Sequence, residues 1–171
     1  AVEGAFEPVV RGCLASCTVP EVRAAAYRAL RSMGVAQGWA AVAPHMASDF
    51  QDARPKSEKV RVAALRTLNA IPAAEVEEAL EQGGAGLLAA VECETSSGVR
   101  RAAIEACGFL LLHQLPPEAA ARSSQRQRLA DIWTAILEKL FDKSSNVCLA
   151  SVQIVRSLFL KAQAGDGVWL P

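Results

Sequence analysis

Aromatic side chains are scarce in this chain of 171 residues: one tyrosine, three tryptophans and five phenylalanines, 5% of the whole. No stretch shows convincing strand alternation either, so a sheet fed by aromatic and β-branched residues has little to draw on. Net charge is missing as well, because 18 basic residues face 18 acidic ones. That balance removes the electrostatic footprint of a nucleic-acid or anionic-membrane binder. No apolar run approaches the roughly 18 residues that a bilayer span needs. The two histidines, His45 and His113, lie far apart on different expected helices and form no catalytic pair. An initiating methionine is also lacking. The chain opens Ala-Val-Glu-Gly and is expected to be an excerpt of a longer one, so missing targeting signals say nothing about its parent.

Cysteine is present in an odd number, at Cys13, Cys17, Cys93, Cys107 and Cys148. The spread is that of small reduced residues in a cytosolic protein, not of a disulfide framework. Cys13 and Cys17 share a helix face, but two thiols without a second ligand pair make no metal site.

What the chain has in quantity is alanine, at 33 positions within a hydrophobic fraction of 51%. A core of small side chains suits closely approaching helices. Those alanines fall into a repeat. Val22–Leu30, Val60–Leu68, Val99–Cys107 and Val147–Val155 align, their opening valines 38, 39 and 48 residues apart. The first three begin Val-Arg-x-x-Ala; the fourth keeps the valine but carries Cys148 and Ser151 instead.

Each anchor reads as a helix. In the fourth, Val147, Ser151, Ile154, Val155, Leu158 and Phe159 form one stripe at helical period. Start signals precede the anchors: Thr18 with Pro20, Ser57, Ser96 with Ser97, and Ser144 with Ser145. Partner helices lie between them. One runs from about Gln37 to Phe50, with Trp39, Val42, Met46 and Phe50 inward and Pro44 bending it or near its start. Another carries Leu129, Ile132, Trp133, Ile136, Leu137, Leu140 and Phe141 and ends at Asp142. Between Ala73 and Cys93 the run Gly83-Gly84-Ala85-Gly86 predicts two shorter helices with a break. Gln51–Lys56 reads as a polar turn, Leu115–Gln125 as an insertion that lengthens the third interval, and Ala164–Pro171 as a flexible tail.

A single helix pair has too little apolar surface to stand alone, and stacked neighbours complete the core. Ala26, Ala64 and Ala103 let paired helices approach. Arg23, Arg61 and Arg100 recur at one place in each repeat. Two readings stand open for them: a structural ladder held by carboxylates or turn carbonyls, and a basic binding strip. Cys148 interrupts the series, which favours the ladder.

These residues resemble HEAT-type repeats, the α-solenoid units of adaptor trunks, coat subunits, importins and phosphatase scaffolds. More narrowly, the order and spacing of Val22–Leu30, Trp39, Val60–Ile71, Gly98–Leu112, Trp133 and Phe141-Asp142-Lys143-Ser144 is similar to the amino-terminal trunk of the TPLATE family. These are the β-adaptin-like subunits of a plant endocytic adaptor complex. The likeness covers about three quarters of the chain and is a pattern of apolar positions; the alanine-rich composition departs from land-plant sequences and suits an alga or other distant relative. It implies an all-α, right-handed superhelix of about four helix pairs over residues 1–163. The implied function is that of a trunk segment of a vesicle-coat adaptor in clathrin-mediated endocytosis. It would have no catalytic residue, cofactor or metal. Its partners would be other subunits of the coat complex, clathrin among them, with no nucleic acid and no membrane insertion. Its place would be the cytoplasm, peripheral to the plasma membrane and coated vesicles. The alternative is an importin-like or other HEAT-repeat module that binds cargo or nucleic acid.

Other chemistry finds no support in the sequence. Gly83-Gly84-Ala85-Gly86 lacks the Lys-Ser or Lys-Thr and the preceding strand of a phosphate loop. Glu75, Glu77, Glu78 and Glu81 read as a solvated acidic face. Arg122, Arg126 and Arg128 belong to the insertion and the helix after it, and no interleaved aromatics accompany them.

Overall fold

The computed structural model describes residues 3–33, 39–51, 57–72, 76–93, 95–112 and 123–165. They form eight α-helices: α1 (Glu3–Ser16), α2 (Pro20–Met33), α3 (Trp39–Gln51), α4 (Glu58–Thr67), α5 (Val76–Val91), α6 (Ser97–Leu112), α7 (Ser123–Glu138) and α8 (Ser145–Gln163). Short 3₁₀ turns extend α4 over Leu68–Ala70 and α7 over Lys139–Phe141, and no strand occurs among the described residues. The all-helical expectation holds.

Helices of even number pack in one row, α2 on α4, α4 on α6 and α6 on α8. The odd-numbered helices follow in a second row, α1 against α3, α3 against α5 and α5 against α7. Each anchor helix also packs on the partner that precedes it: α1 on α2, α3 on α4, α5 on α6, α7 on α8. The core lies between the rows. Ala26, Ala64, Ala103 and Ser151 share one repeat position and are all buried there. Larger side chains fill around them, among them Leu14, Tyr27, Met46, Phe50, Leu65 and Ile104.

Helices α6 and α8 approach closely at Gly108. A Cβ placed on Gly108 would lie 2.6 Å from Ile154 Cγ1, so only glycine lets these helices meet at that distance. At the end of α8, Gly165 adopts φ +79°, the left-handed conformation that closes many helices.

Three expectations need correction. The glycine run does not break a helix: α5 is continuous through it. Each helical glycine costs about 1 kcal/mol relative to alanine, and burial of Leu87, Ala90 and Val91 outweighs that cost. Gly86 is itself buried, and a Cβ on it would touch Phe50 of α3 at 3.4 Å. Second, α7 begins at Ser123, so the last residues of the expected insertion are helical. Third, Phe141 and Phe159 are exposed, not inward. They sit at the margins of their stripes, on the solvent side. Pro44 lies inside α3 with its ring exposed, while Val42, Met46 and Phe50 are buried as read. The polar turn at 52–56, the linker at 113–122 with His113 and Arg122, and the tail from 166 with Trp169 lie outside the described residues, as do the side chains of Trp39, Glu75, Glu77 and Glu78.

Candidate functional site

Each repeated arginine reaches the C-terminal end of the partner helix in its own pair. A helix leaves its last four carbonyls without intrahelical donors, so a cation there finds acceptors ready. Arg23 Nη1 donates to the carbonyls of Leu14 at 2.6 Å and Cys17 at 3.0 Å, at the end of α1. Arg61 Nε donates to Phe50 O at 3.0 Å, in the last turn of α3. Arg100 Nη1 donates to Cys93 O at 2.8 Å, just past α5. Cys148 occupies the same position in α8, and its thiol donates to Asp142 O at 2.9 Å. The shorter side chain therefore serves the same carbonyl that an arginine would.

The three guanidiniums also reach across to the following pair. Arg23 Nη2 lies 2.6 Å from Asp49 Oδ2 of α3. Arg61 Nη1 donates to Cys93 Sγ at 3.3 Å. Arg100 forms a fork with Asp142, Nε to Oδ2 and Nη2 to Oδ1, both at 2.8 Å. Each rung so fastens one helix pair internally and ties it to the next. In the middle rung a thiol stands where its neighbours have a carboxylate.

Burial makes these contacts count. The Arg100 and Asp142 side chains are 4% and 6% exposed. The hydrogen bond from Arg100 holds the Asp142 carboxyl below its usual range, against the opposing effect of burial, with further help from the Ser144 N–H and the charges of Arg100 and Lys139. The same fork raises the Arg100 pKa. Burial disfavours the Arg23 cation, but Asp49 overrides it and the pKa rises. Asp49 also accepts from the Tyr27 hydroxyl at 2.6 Å, while Tyr27 O accepts from Thr67 Oγ1 at 3.2 Å, which joins α2, α3 and α4. At Cys93 burial raises the thiol pKa, but the Thr95 hydroxyl, nearby backbone N–H groups and the Arg61 charge together lower it. Cys107 differs: complete burial pushes its thiol up to about 12.

Arg61 and Arg100 thus converge on Cys93, and Arg23 joins Tyr27 and Asp49. The acceptors Asp49, Cys93 and Asp142 escaped the sequence reading. Their only sequence signal is position, each near the end of a partner helix and a few residues ahead of the next anchor. Cys13 lies in α1 and Cys17 just beyond it, and all five cysteines are free thiols. Among the described residues no cluster of His, Cys, Asp and Glu could hold a metal ion, and no helix is long and apolar enough to cross a membrane.

Two surfaces stand out among the described residues. The first is a groove of about 870 Å³ between α2 and α4, lined by Arg28, Arg31, Lys59 and Arg66 with Glu21 and Glu58, over a floor of Pro20, Val62 and Ala63. The second is the outer face of α8. Leu149, Val152, Phe159 and Leu160 are exposed there within a sector of about 100°, opposite the buried Val147, Ser151 and Leu158. Phe141, 90% exposed, stands in the turn just before this helix. No protein-family model, curated protein or solved structure matches the chain.

Proposed function

We propose that this chain is a HEAT-type α-solenoid segment serving as a protein-binding trunk, in a coat-adaptor subunit of clathrin-mediated endocytosis. The apolar outer face of α8 carries the scaffold part of the reading. In the even row α2, α4 and α6 are each followed by a packed neighbour, whereas α8, the last described, turns Leu149, Val152, Phe159 and Leu160 to solvent. An apolar face of this kind on a stacked helix array is completed by further repeats or by another subunit. Two rows of helices, with a rung in each pair, support the solenoid. The trafficking assignment rests on the sequence resemblance. The role is one of shape and contact, without catalysis.

Co-purification from cells that express the tagged parent protein tests both parts. Adaptor and coat subunits should be recovered, and Val152→Asp with Leu149→Asp should release at least one of them while leaving the helical signal intact. Recovery of import cargo or nucleic acid without coat subunits would reject the trafficking role. Unchanged recovery by the double variant would reject the α8 face as the contact.

A further inference from the structure

We propose that the groove between α2 and α4 is a docking site for an acidic linear segment of a partner protein. The inference rests on the scaffold reading above and gives that scaffold a second, polar contact surface.

The argument comes from the repeat register. Aligning the anchors places Arg28, Arg66 and Glu105 at one equivalent step of α2, α4 and α6. Where α4 meets α6, that step brings opposite charges together. Arg66 Nε lies 3.8 Å from Glu105, which also takes Arg101 at 2.8 Å. Where α2 meets α4, the same step places arginine on both helices, and both line the groove. Arg31 and Lys59 add two more cations. Among the described residues Arg28, Arg31 and Lys59 have no ion-pair partner, and Arg66 has only the long contact to Glu105.

Helix-end electrostatics account for part of this arrangement. Arg31 and Arg66 lie in the last turns of α2 and α4, where a cation is favoured. They do not account for Arg28, a turn earlier, or for Lys59, in the first turn of α4 at the end that favours anions. The two carboxylates of the groove, Glu21 and Glu58, sit in the first turns of their helices. Glu58 already accepts from Ser96 Oγ at 2.7 Å. Positive charge is therefore left uncompensated toward the C-terminal ends of α2 and α4, in a chain that is neutral overall.

An acidic peptide fits this site in charge, size and surface. Its carboxylates would meet Arg28, Arg31 and Arg66, and apolar side chains between them would rest on Pro20, Val62 and Ala63. The volume falls within the roughly 300–1,000 Å³ of ordinary ligand sites. Nucleic acid fits less well, since no aromatic side chain lines the groove to stack on a base.

Fluorescence anisotropy on the full chain provides the test, with a labelled peptide of alternating Glu and Leu as probe. Binding should weaken steeply with salt, and a Lys-Leu peptide should not bind. Arg28→Glu recreates the pairing that Glu105 provides at the next seam, so it should keep the fold and weaken binding by about tenfold or more. Arg156→Glu, an exposed change on α8, should leave binding unaltered. Absence of binding by the wild-type chain, equal loss in both variants, or tighter binding of a labelled DNA duplex would each overturn the proposal. If coat subunits still co-purify through the α8 face in that event, the scaffold reading stands without the groove.

Discussion

Arg100 and Asp142 meet fork to fork, with two parallel bonds of 2.8 Å between side chains that are 4% and 6% exposed. Arg100→Ala leaves the Asp142 carboxylate buried without its cation, and breaking such a pair costs about 3–5 kcal/mol. Arg100→Lys should recover only part of this, because an ammonium cannot reproduce the planar fork. Urea denaturation of the three proteins measures both effects.

The same pair sets a pH dependence. Asp142 is held below its ordinary value of 3.8, so its contribution is fully present above that value and is lost as pH falls through the lowered one. The wild-type chain should therefore lose stability below pH about 4 with a steeper slope than Asp142→Asn. Urea midpoints at neutral and acid pH compare the slopes; parallel acid limbs would remove Asp142 from the account.

Arg61 is buried among neutral acceptors, Phe50 O and Cys93 Sγ. Its replacement by alanine strands no buried carboxylate, so the loss should be smaller than at Arg100, about 1–3 kcal/mol. An unchanged melting temperature together with lost partner binding would assign Arg61 to recognition instead.

Gly108→Ala places a methyl group within 2.8 Å of three Ile154 carbons. Two of them, Cγ1 and Cγ2, branch directly from Cβ, so the stiff side chain cannot simply swing aside. Overpacking costs about 1–3 kcal/mol, against a helix-propensity gain of at most about 1 kcal/mol. Net destabilisation is expected, and adding Ile154→Ala should relieve the overlap relative to Ile154→Ala alone. A double-mutant cycle on thermal unfolding reads the coupling.

Much of the fold was legible because helical periodicity and the recurrence of Val-Arg-x-x-Ala are local signals. The burial of Val147, Ser151 and Leu158 follows from spacing alone. The continuous α5 was not legible, since the propensity of Gly83, Gly84 and Gly86 points the other way and only packing against α3, α6 and α7 reverses it. The ladder was half legible. Repetition marks the donors Arg23, Arg61 and Arg100, but their acceptors lie in or just beyond the ends of other helices, at unequal distances along the chain. Cys148 illustrates the gap: by sequence it ends the series, yet its thiol reaches the Asp142 carbonyl. The groove has the same character, because like charges on α2 and α4 become neighbours only when the two helices pack.

Tyr27 gives the molecule a built-in optical reporter. It is the sole tyrosine, fully buried, with its hydroxyl on Asp49 and its carbonyl accepting from Thr67. Burial first, then the charge and hydrogen bond of Asp49, raise its pKa, so the native chain favours the neutral phenol. That preference stabilises the fold below the ordinary tyrosine range near pH 10 and is lost as pH climbs beyond it. Tyrosinate absorbance should therefore stay silent past the pH at which free tyrosine ionises, then emerge together with the loss of helical circular dichroism. A single ultraviolet band thus follows the opening of the α2–α3–α4 junction without any label; a phenolate that forms near pH 10 with helicity intact would place Tyr27 in contact with water.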